Sequence, residues 1–435
     1  MDTIAPEKAG FSASRLSRIG AVMQDYVDQN KLAGVVALAA RRGKIAYCER
    51  FGMMDVEAAK RMQFDTIFRI FSMTKPITTV ALMMLYEEGR FQLHDPVSRF
   101  IPGFADVKVF AGVTENGFKV TELEREITIW HLLTHTAGLT YAFFTDSPVD
   151  AMYLEADFRR TDRTVEEVIH EIVKLPLVYQ PGAAWRYSMA TDVIGYLVKV
   201  ISGMTLDVFF KDRILGPLGM EDTDFYVPGN KLDRFAALYG PAKDGGIELL
   251  DAPATSQYTK MPRFLPGGIG LVSTASDYMR FCQLLLNGGE LDGTALAFGN
   301  SHSDGTALAF GNSHSDGTAL AFGNSHSDGV RLLGRKTVEL MRSNHLPDEL
   351  IPIRVQPHTL HGCGFGLGFR VLVDAAQAGR LGSQGEFGWG GAASTSFFID
   401  PKEELIGLLL TQLAPSRYYP IRNQFKVLVY QALVN

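Results

Sequence analysis

The chain has 435 residues, 46% hydrophobic and 21% charged, an ordinary globular composition and enough length for two or three domain-sized units. A net charge of −6 provides no cationic surface for nucleic acid or anionic lipid, and no apolar run approaches the roughly 20 residues of a membrane span. Cys48, Cys282 and Cys363 are scattered without metal-ligand spacing, which reads as free thiols of a reducing compartment; with no basic-then-apolar leader, a cytoplasmic location is expected.

Residues 12–30 put Leu16, Ile19, Met23 and Tyr26 on one helical face. The next stretch, GVVALAARRGKIAYCERFG, holds two β-rich runs around Arg41-Arg42-Gly43-Lys44 and reads as a hairpin. A long helix is expected from Ser72 to Glu88, with Gly89 as its C-cap. Residues 90–235 are mostly helical segments between Gly and Pro loops. Strand patterns return at Gly366–Val373, Ser394–Ile399 and Glu404–Leu413, the last two joined by the turn Asp400-Pro401-Lys402-Glu403. A closing helix, Ile421–Leu433, sets Phe425, Leu428 and Ala432 on one face. This order predicts an α/β protein of the α+β type, with an antiparallel sheet built from both ends of the chain (1–89 and 236–435). Residues 90–235 would form an inserted, mostly helical domain.

GTALAFGNSHSD occurs three times in tandem, at 293–304, 305–316 and 317–328, without a substitution. Removing the copies joins Glu290-Leu291-Asp292 to Gly329-Val330-Arg331, which reads as a surface turn. The unit is too short and too rich in Gly, Ser and Asn for a repeat architecture. His302, His314 and His326 lack a coherent set of further ligands, so an exposed loop from tandem duplication is expected rather than a metal site.

The chemistry centres on Ser72-Met73-Thr74-Lys75. Positions i and i+3 share a helical face, so the Lys75 ammonium can lie beside the Ser72 hydroxyl. If a helix begins there, the Ser72 N–H and the positive end of the dipole sit where an oxyanion would form, and Pro76 is tolerated in that first turn. Alone the signal is weak, because about one Ser-x-x-Lys is expected by chance in such a chain. Context raises it. The tetrad follows Phe64-Asp65-Thr66-Ile67-Phe68-Arg69 and enters Leu82-Met83-Met84-Leu85-Tyr86-Glu87-Glu88-Gly89. Then come Ile129-Trp130-His131-Leu132-Leu133-Thr134-His135-Thr136-Ala137-Gly138-Leu139, Pro181-Gly182-Ala183-Ala184-Trp185-Arg186-Tyr187-Ser188 and Pro266-Gly267-Gly268-Ile269-Gly270-Leu271.

This succession, from about residue 5 to the C-terminus without the repeats, resembles the serine β-lactamase-like, penicillin-binding-protein superfamily. It is most similar to the class C β-lactamase-like (family VIII) carboxylesterases, and more distantly to the fungal acyltransferase that makes the lovastatin side-chain ester. The resemblance implies that Ser72 is a nucleophile and that Lys75 and Tyr187 activate it. Trp389-Gly390-Gly391 matches the family's Lys-Thr-Gly, which implies oxyanion donors at the Ser72 and Ala392 backbone N–H groups. Two departures bear on substrate. Met189 replaces the asparagine of Tyr-x-Asn, and Trp389 and Gly390 replace the lysine and threonine that help to bind a β-lactam carboxylate. The substrate-binding positions Met189, Trp389, Gly390 and Gly391 are therefore expected to form an apolar, aromatic site suited to neutral esters. Arg370 is one cation that could restore carboxylate recognition.

The resemblance places His135 in a structural turn rather than as a general base. No Gly-x-Ser-x-Gly elbow and no His-Glu-x-x-His occur, and the glycines of Gly362–Gly368 read as a strand near the site rather than a phosphate loop. The expected activity is hydrolysis of a small-molecule carboxylic ester through an acyl-enzyme, with no metal or organic cofactor required. Lys75 and Tyr187 would exchange protons as a pair, so the base is left open between them. A β-lactamase or DD-peptidase/D-aminopeptidase, an acyltransferase and a catalytically silent scaffold share the fold. Oligomeric state and acyl-chain and alcohol preference are left open.

Overall fold

The computed structural model describes residues 3–115, 117–158, 162–292, 329–355 and 358–434; the tandem repeats, with His302, His314 and His326, lie outside the described residues. From the N-terminus, helix α1 (Arg18–Asp28) precedes strands β1 (Gly34–Arg41), β2 (Lys44–Asp55) and β3 (Lys60–Arg61). Helix α2 (Thr74–Glu87), the hairpin β4 (Val109–Thr114) and β5 (Gly117–Thr121), and helices α3 (Ile129–Leu133), α4 (Pro148–Glu155), α5 (Val165–Ile172) and α6 (Ala190–Ser202) follow. Helix α7 (Ala275–Leu286) leads to a hairpin of β6 (Glu290–Asp292) and β7 (Gly329–Arg331). Strands β8 (Cys363–Phe365), β9 (Arg370–Leu372), β10 (Phe387–Gly390), β11 (Ser396–Asp400) and β12 (Leu405–Thr411) then run to helix α8 (Ile421–Tyr430).

One antiparallel sheet runs β8-β9-β10-β11-β12-β1-β2-β3, so both ends of the chain meet at its centre, where Val35 pairs with Thr411 and Arg41 with Leu405. Strand β1 is buried throughout because each face has its own cover. Val36, Leu38 and Ala40 join the main core beneath α2 and α7, whereas Val35, Ala37 and Ala39 pack with Ile19 and Met23 of α1 and Phe425 and Val429 of α8. The β1–β2 turn takes positive φ at Arg42 (51°) and Gly43 (69°), the conformation a two-residue hairpin needs.

The main core is continuous: it contains Val36 and Leu408 of the sheet and Leu132, Ile169 and Val193 of the helical block. That block also carries the β4–β5 hairpin, which its sequence does not announce. The stretch Gly366–Val373 is not one strand. After β8 the chain turns, with Gly366 N–H donating to Phe369 O at 2.8 Å and Gly368 at φ 87°, and only Arg370–Leu372 resumes the sheet. Among the described residues no single helix is long and apolar enough to cross a membrane.

Candidate active site

Helix α2 starts at Thr74, two residues later than expected, after one 3-10 turn over Phe71–Met73. Phe71 takes a φ of 45°, a costly conformation for a large L-residue, and it turns the chain sharply into Ser72. Ser72 and Lys75 nonetheless share a face: Lys75 Nζ lies 3.5 Å from Ser72 Oγ. Lys75 is buried, and its ammonium also donates to Tyr141 OH at 3.0 Å and Gly268 O at 2.8 Å. Neither of these partners belongs to the sequence-predicted set.

Backbone pairing explains how Tyr141 and Tyr187 arrive. The segment after α3 runs beside residues 178–189, with Val178 N–H donating to Gly138 O (2.7 Å), Arg186 N–H to His135 O (2.9 Å) and Met189 N–H to Thr140 O (3.2 Å). Arg186, next to Tyr187, is clamped by Asp146 and Asp150 at 2.8 and 2.7 Å. The Tyr141 and Tyr187 rings then sit 5.2 Å apart, and Lys75 Nζ lies 4.7 Å from the Tyr187 ring centre. Strand β10 forms the facing wall, where Trp389 Nε1 donates to Tyr187 OH at 3.3 Å. Phe143 stacks on Tyr141 at 5.0 Å, and Phe365 lies edge-on to Trp389 at 5.4 Å. The lining is strongly aromatic.

Gly391 follows β10 and abuts the segment that leads into Ser72: a Cβ there would lie 2.3 Å from Ile70 O. Its N–H donates to Thr395 O at 2.9 Å. The next N–H, of exposed Ala392, has no acceptor among the described residues, and neither has that of Ser72. Met189 is placed differently from the rest: its side chain is buried in the main core at the start of α6.

A cation from elsewhere in the chain nonetheless reaches the backbone of this wall. Arg370 is not the source, because it is buried against Glu386 at 2.8 Å. Arg422 is: its Nη2 donates to Gly391 O, and a Cβ on Gly390 would lie 2.9 Å from Nη1. It comes from the first turn of α8, where no local motif marks it.

His135 is buried, with Nδ1 3.2 Å from Ser188 Oγ, and burial together with the Lys75 charge holds it well below the usual histidine range. It is a neutral framework group. Asp192 of α6 is buried too; it accepts Gly268 N–H at 3.0 Å, and burial raises its carboxyl while the Lys75 charge opposes the shift. A side chain at position 268 would meet Asp192 Oδ2 at 2.9 Å and Lys75 Nζ at 3.1 Å, so this glycine permits the close approach. Tyr141 and Gly268 lie in or beside quoted motifs, so their neighbourhood was marked although their contacts were not. Among the described residues no cluster of three His, Cys, Asp or Glu is placed to hold a metal ion.

The Beta-lactamase family model matches residues 19–431. An uncharacterized Mycobacterium tuberculosis protein is 33% identical over 91% of this chain and 89% of its own length. Esterase EstB of Burkholderia gladioli is 28% identical over 93% of this chain and 92% of the esterase. The solved structure of EstCE1, a hydrolase with promiscuous acyltransferase activity, superposes with a TM-score of 0.74 at 26% identity, covering 96% of this chain and 99% of that one. With the match running nearly end to end over the sheet and the helical block alike, this chain belongs to the β-lactamase family and is an enzyme of the serine-hydrolase type.

Proposed function

We propose that the protein is a carboxylesterase that cleaves neutral, short-chain esters through an acyl-enzyme on Ser72. The observation that carries this is Lys75 Nζ, 3.5 Å from Ser72 Oγ and surrounded by neutral oxygen acceptors rather than a carboxylate in contact. Ser72 Oγ attacks the ester carbonyl, and its proton passes to whichever member of the Lys75–Tyr187 pair is deprotonated, the neutral amine or the phenolate. The tetrahedral oxygen is held by the Ser72 and Ala392 N–H groups, each donor of this kind being worth roughly 3–4 kcal/mol of barrier. Tyr187 protonates the departing alcohol, and water then cleaves the acyl-enzyme by the reverse proton path. The aromatic walls around Tyr141, Tyr187 and Trp389 favour an apolar acyl group, and the likeness to Esterase EstB supports an ester as the substrate. Side-by-side kinetics on p-nitrophenyl butyrate and nitrocefin test it. The ester is expected to have much the larger kcat/KM; comparable values would restore the β-lactamase reading.

The likeness to EstCE1, with its promiscuous acyltransferase activity, favours a second reading, acyl transfer. An aromatic lining that thins out water would let an alcohol compete for the acyl-enzyme. Supplying butanol as acceptor and measuring the ratio of ester to acid product separates the two.

A further inference from the structure

We infer that Arg422 is a positioning residue for the oxyanion hole, acting through the Gly391–Ala392 peptide. The inference rests on the reading of Ser72 as nucleophile. The C=O of Gly391 and the N–H of Ala392 are the two ends of one planar, conjugated unit. The Arg422 guanidinium donates to that carbonyl oxygen. A cationic donor at the oxygen draws electron density from the nitrogen, so it strengthens the N–H at the other end as a donor and fixes the plane in which it points. The preceding N–H of Gly391 is already held by Thr395 O at 2.9 Å, leaving the Ala392 N–H as the free end of a braced strand terminus.

The charge environment points the same way. Arg41, Arg69, Arg186, Arg370 and Lys426 are buried cations, and each contacts a carboxylate. Arg422 has no ion pair among the described residues, and its Nε is enclosed without any hydrogen-bond partner. Burial and the neighbouring Arg417 work against its charge, and only Tyr187 favours it. A half-enclosed cation without a counter-charge costs the folded protein free energy. A negative charge that appears only in the transition state, on the far side of the peptide it grips, is where that cation becomes favourable. A Cβ on Gly390 would meet the backbone Thr395 O at 2.8 Å as well as Nη1 and Cζ of Arg422 at 2.9 and 3.0 Å, so the bare backbone here serves both the strand turn and the approach of the guanidinium.

The test compares wild type with Arg422→Ala and Arg422→Lys, reading kcat and KM on p-nitrophenyl butyrate, melting temperature, and the rate of fluorophosphonate labelling at Ser72. Arg422→Ala is expected to lose about 10–100-fold in kcat with KM within about three-fold, because the interaction matters only in the transition state. Labelling should slow in parallel. Arg422→Lys, or low non-denaturing guanidinium added to Arg422→Ala, should restore part of the rate, and sodium chloride should not. An unchanged kcat overturns the inference. So does a loss confined to esters bearing a carboxylate and expressed in KM, which would make Arg422 a ligand for that group. A loss that neither lysine nor guanidinium recovers, and that follows a fallen melting temperature, also overturns it. Wild type left unlabelled at Ser72 would overturn the nucleophile assignment itself, a result distinct from all of these.

Discussion

Lys75 and Lys426 are both nearly inaccessible, 1% and 6% exposed, and their surroundings differ in kind. Lys426 lies 2.8 and 2.6 Å from the two carboxylate oxygens of Glu386, which also receives Arg370 at 2.8 Å and the Tyr430 hydroxyl at 2.9 Å. Burial pushes Lys426 down to about 8 while the Glu386 charge pulls it back. Lys75 instead donates to the oxygens of Ser72, Tyr141 and Gly268, and the Asp192 charge reaches it only from beyond Gly268. A cation gripped by a carboxylate in contact is locked, and it pins α8 to the sheet. Lys75, held by neutral oxygens, lies instead against the Ser72 hydroxyl, where the chemistry is proposed to run. The two clusters therefore predict opposite responses to substitution: chemistry lost without stability at the first, stability lost without chemistry at the second.

The sharpest separation is at Ser72. Ser72→Ala is expected to lower ester turnover by more than about 10⁴-fold and abolish fluorophosphonate labelling. Its stability should fall by no more than about 1.5 kcal/mol, because the hydroxyl removed caps no helix and accepts one hydrogen bond from Lys75. Residual turnover near wild type would remove Ser72 from the site.

Glu386→Ala should invert that pattern. It leaves Arg370 and Lys426 buried without a counter-charge, a change that typically costs about 3–5 kcal/mol. Urea unfolding should show the loss, while the folded fraction still labels at Ser72. A neutral effect on stability would break the contrast.

Tyr187→Phe keeps the ring against Tyr141 and Trp389 and removes only the hydroxyl that Trp389 Nε1 contacts. Turnover is expected to drop by roughly 10²–10⁴-fold with little thermal change. Unchanged turnover would leave Lys75 as the sole base.

His131 offers a third setting, a buried base whose neutral form is required. Its Nδ1 accepts Thr128 N–H at 3.0 Å, and burial pushes it down from 6.5 to about 4. The unfolded chain takes up a proton below the ordinary histidine value, whereas the folded protein resists until about 4. Stability is therefore fully present above that ordinary value and falls as pH drops through the window. Urea midpoints across the window should show a slope that His131→Gln flattens. Equal slopes for the two proteins would count against the cap.

The smallest effect is expected from deleting 293–328. Leu291 and Val330 pair in the β6–β7 hairpin, so the deletion leaves Asp292-Gly329 as a two-residue turn between them, a favoured hairpin sequence. Shortening the loop also lowers its closure cost by only about 0.6 kcal/mol per halving. Activity and melting temperature should stay close to wild type; a large loss in either would give the repeats a role.

What the amino-acid sequence determined by itself is local or is carried by the order of motifs. The adjacency of Ser72 and Lys75 follows from three-residue spacing, which survives even though the helix begins at Thr74 rather than Ser72. The β1–β2 hairpin follows from Arg42-Gly43 between two β-rich runs. Tertiary structure decided the rest. Tyr141 meets Lys75 only because residues 135–141 and 178–189 run side by side, and Gly268 arrives from nearly two hundred residues away. The single strand expected over Gly366–Val373 broke into a turn and a short strand because Gly368 takes a φ of 87°. The wall at Trp389–Gly391 reads as stripped of charge in its own residues, yet Arg422, 31 positions further on, reaches the Gly391 carbonyl. Spacing along a helix or across a two-residue turn is set by backbone geometry. Which distant cation comes to lie behind a peptide is set by how α8 docks on the sheet, and no local pattern encodes that docking.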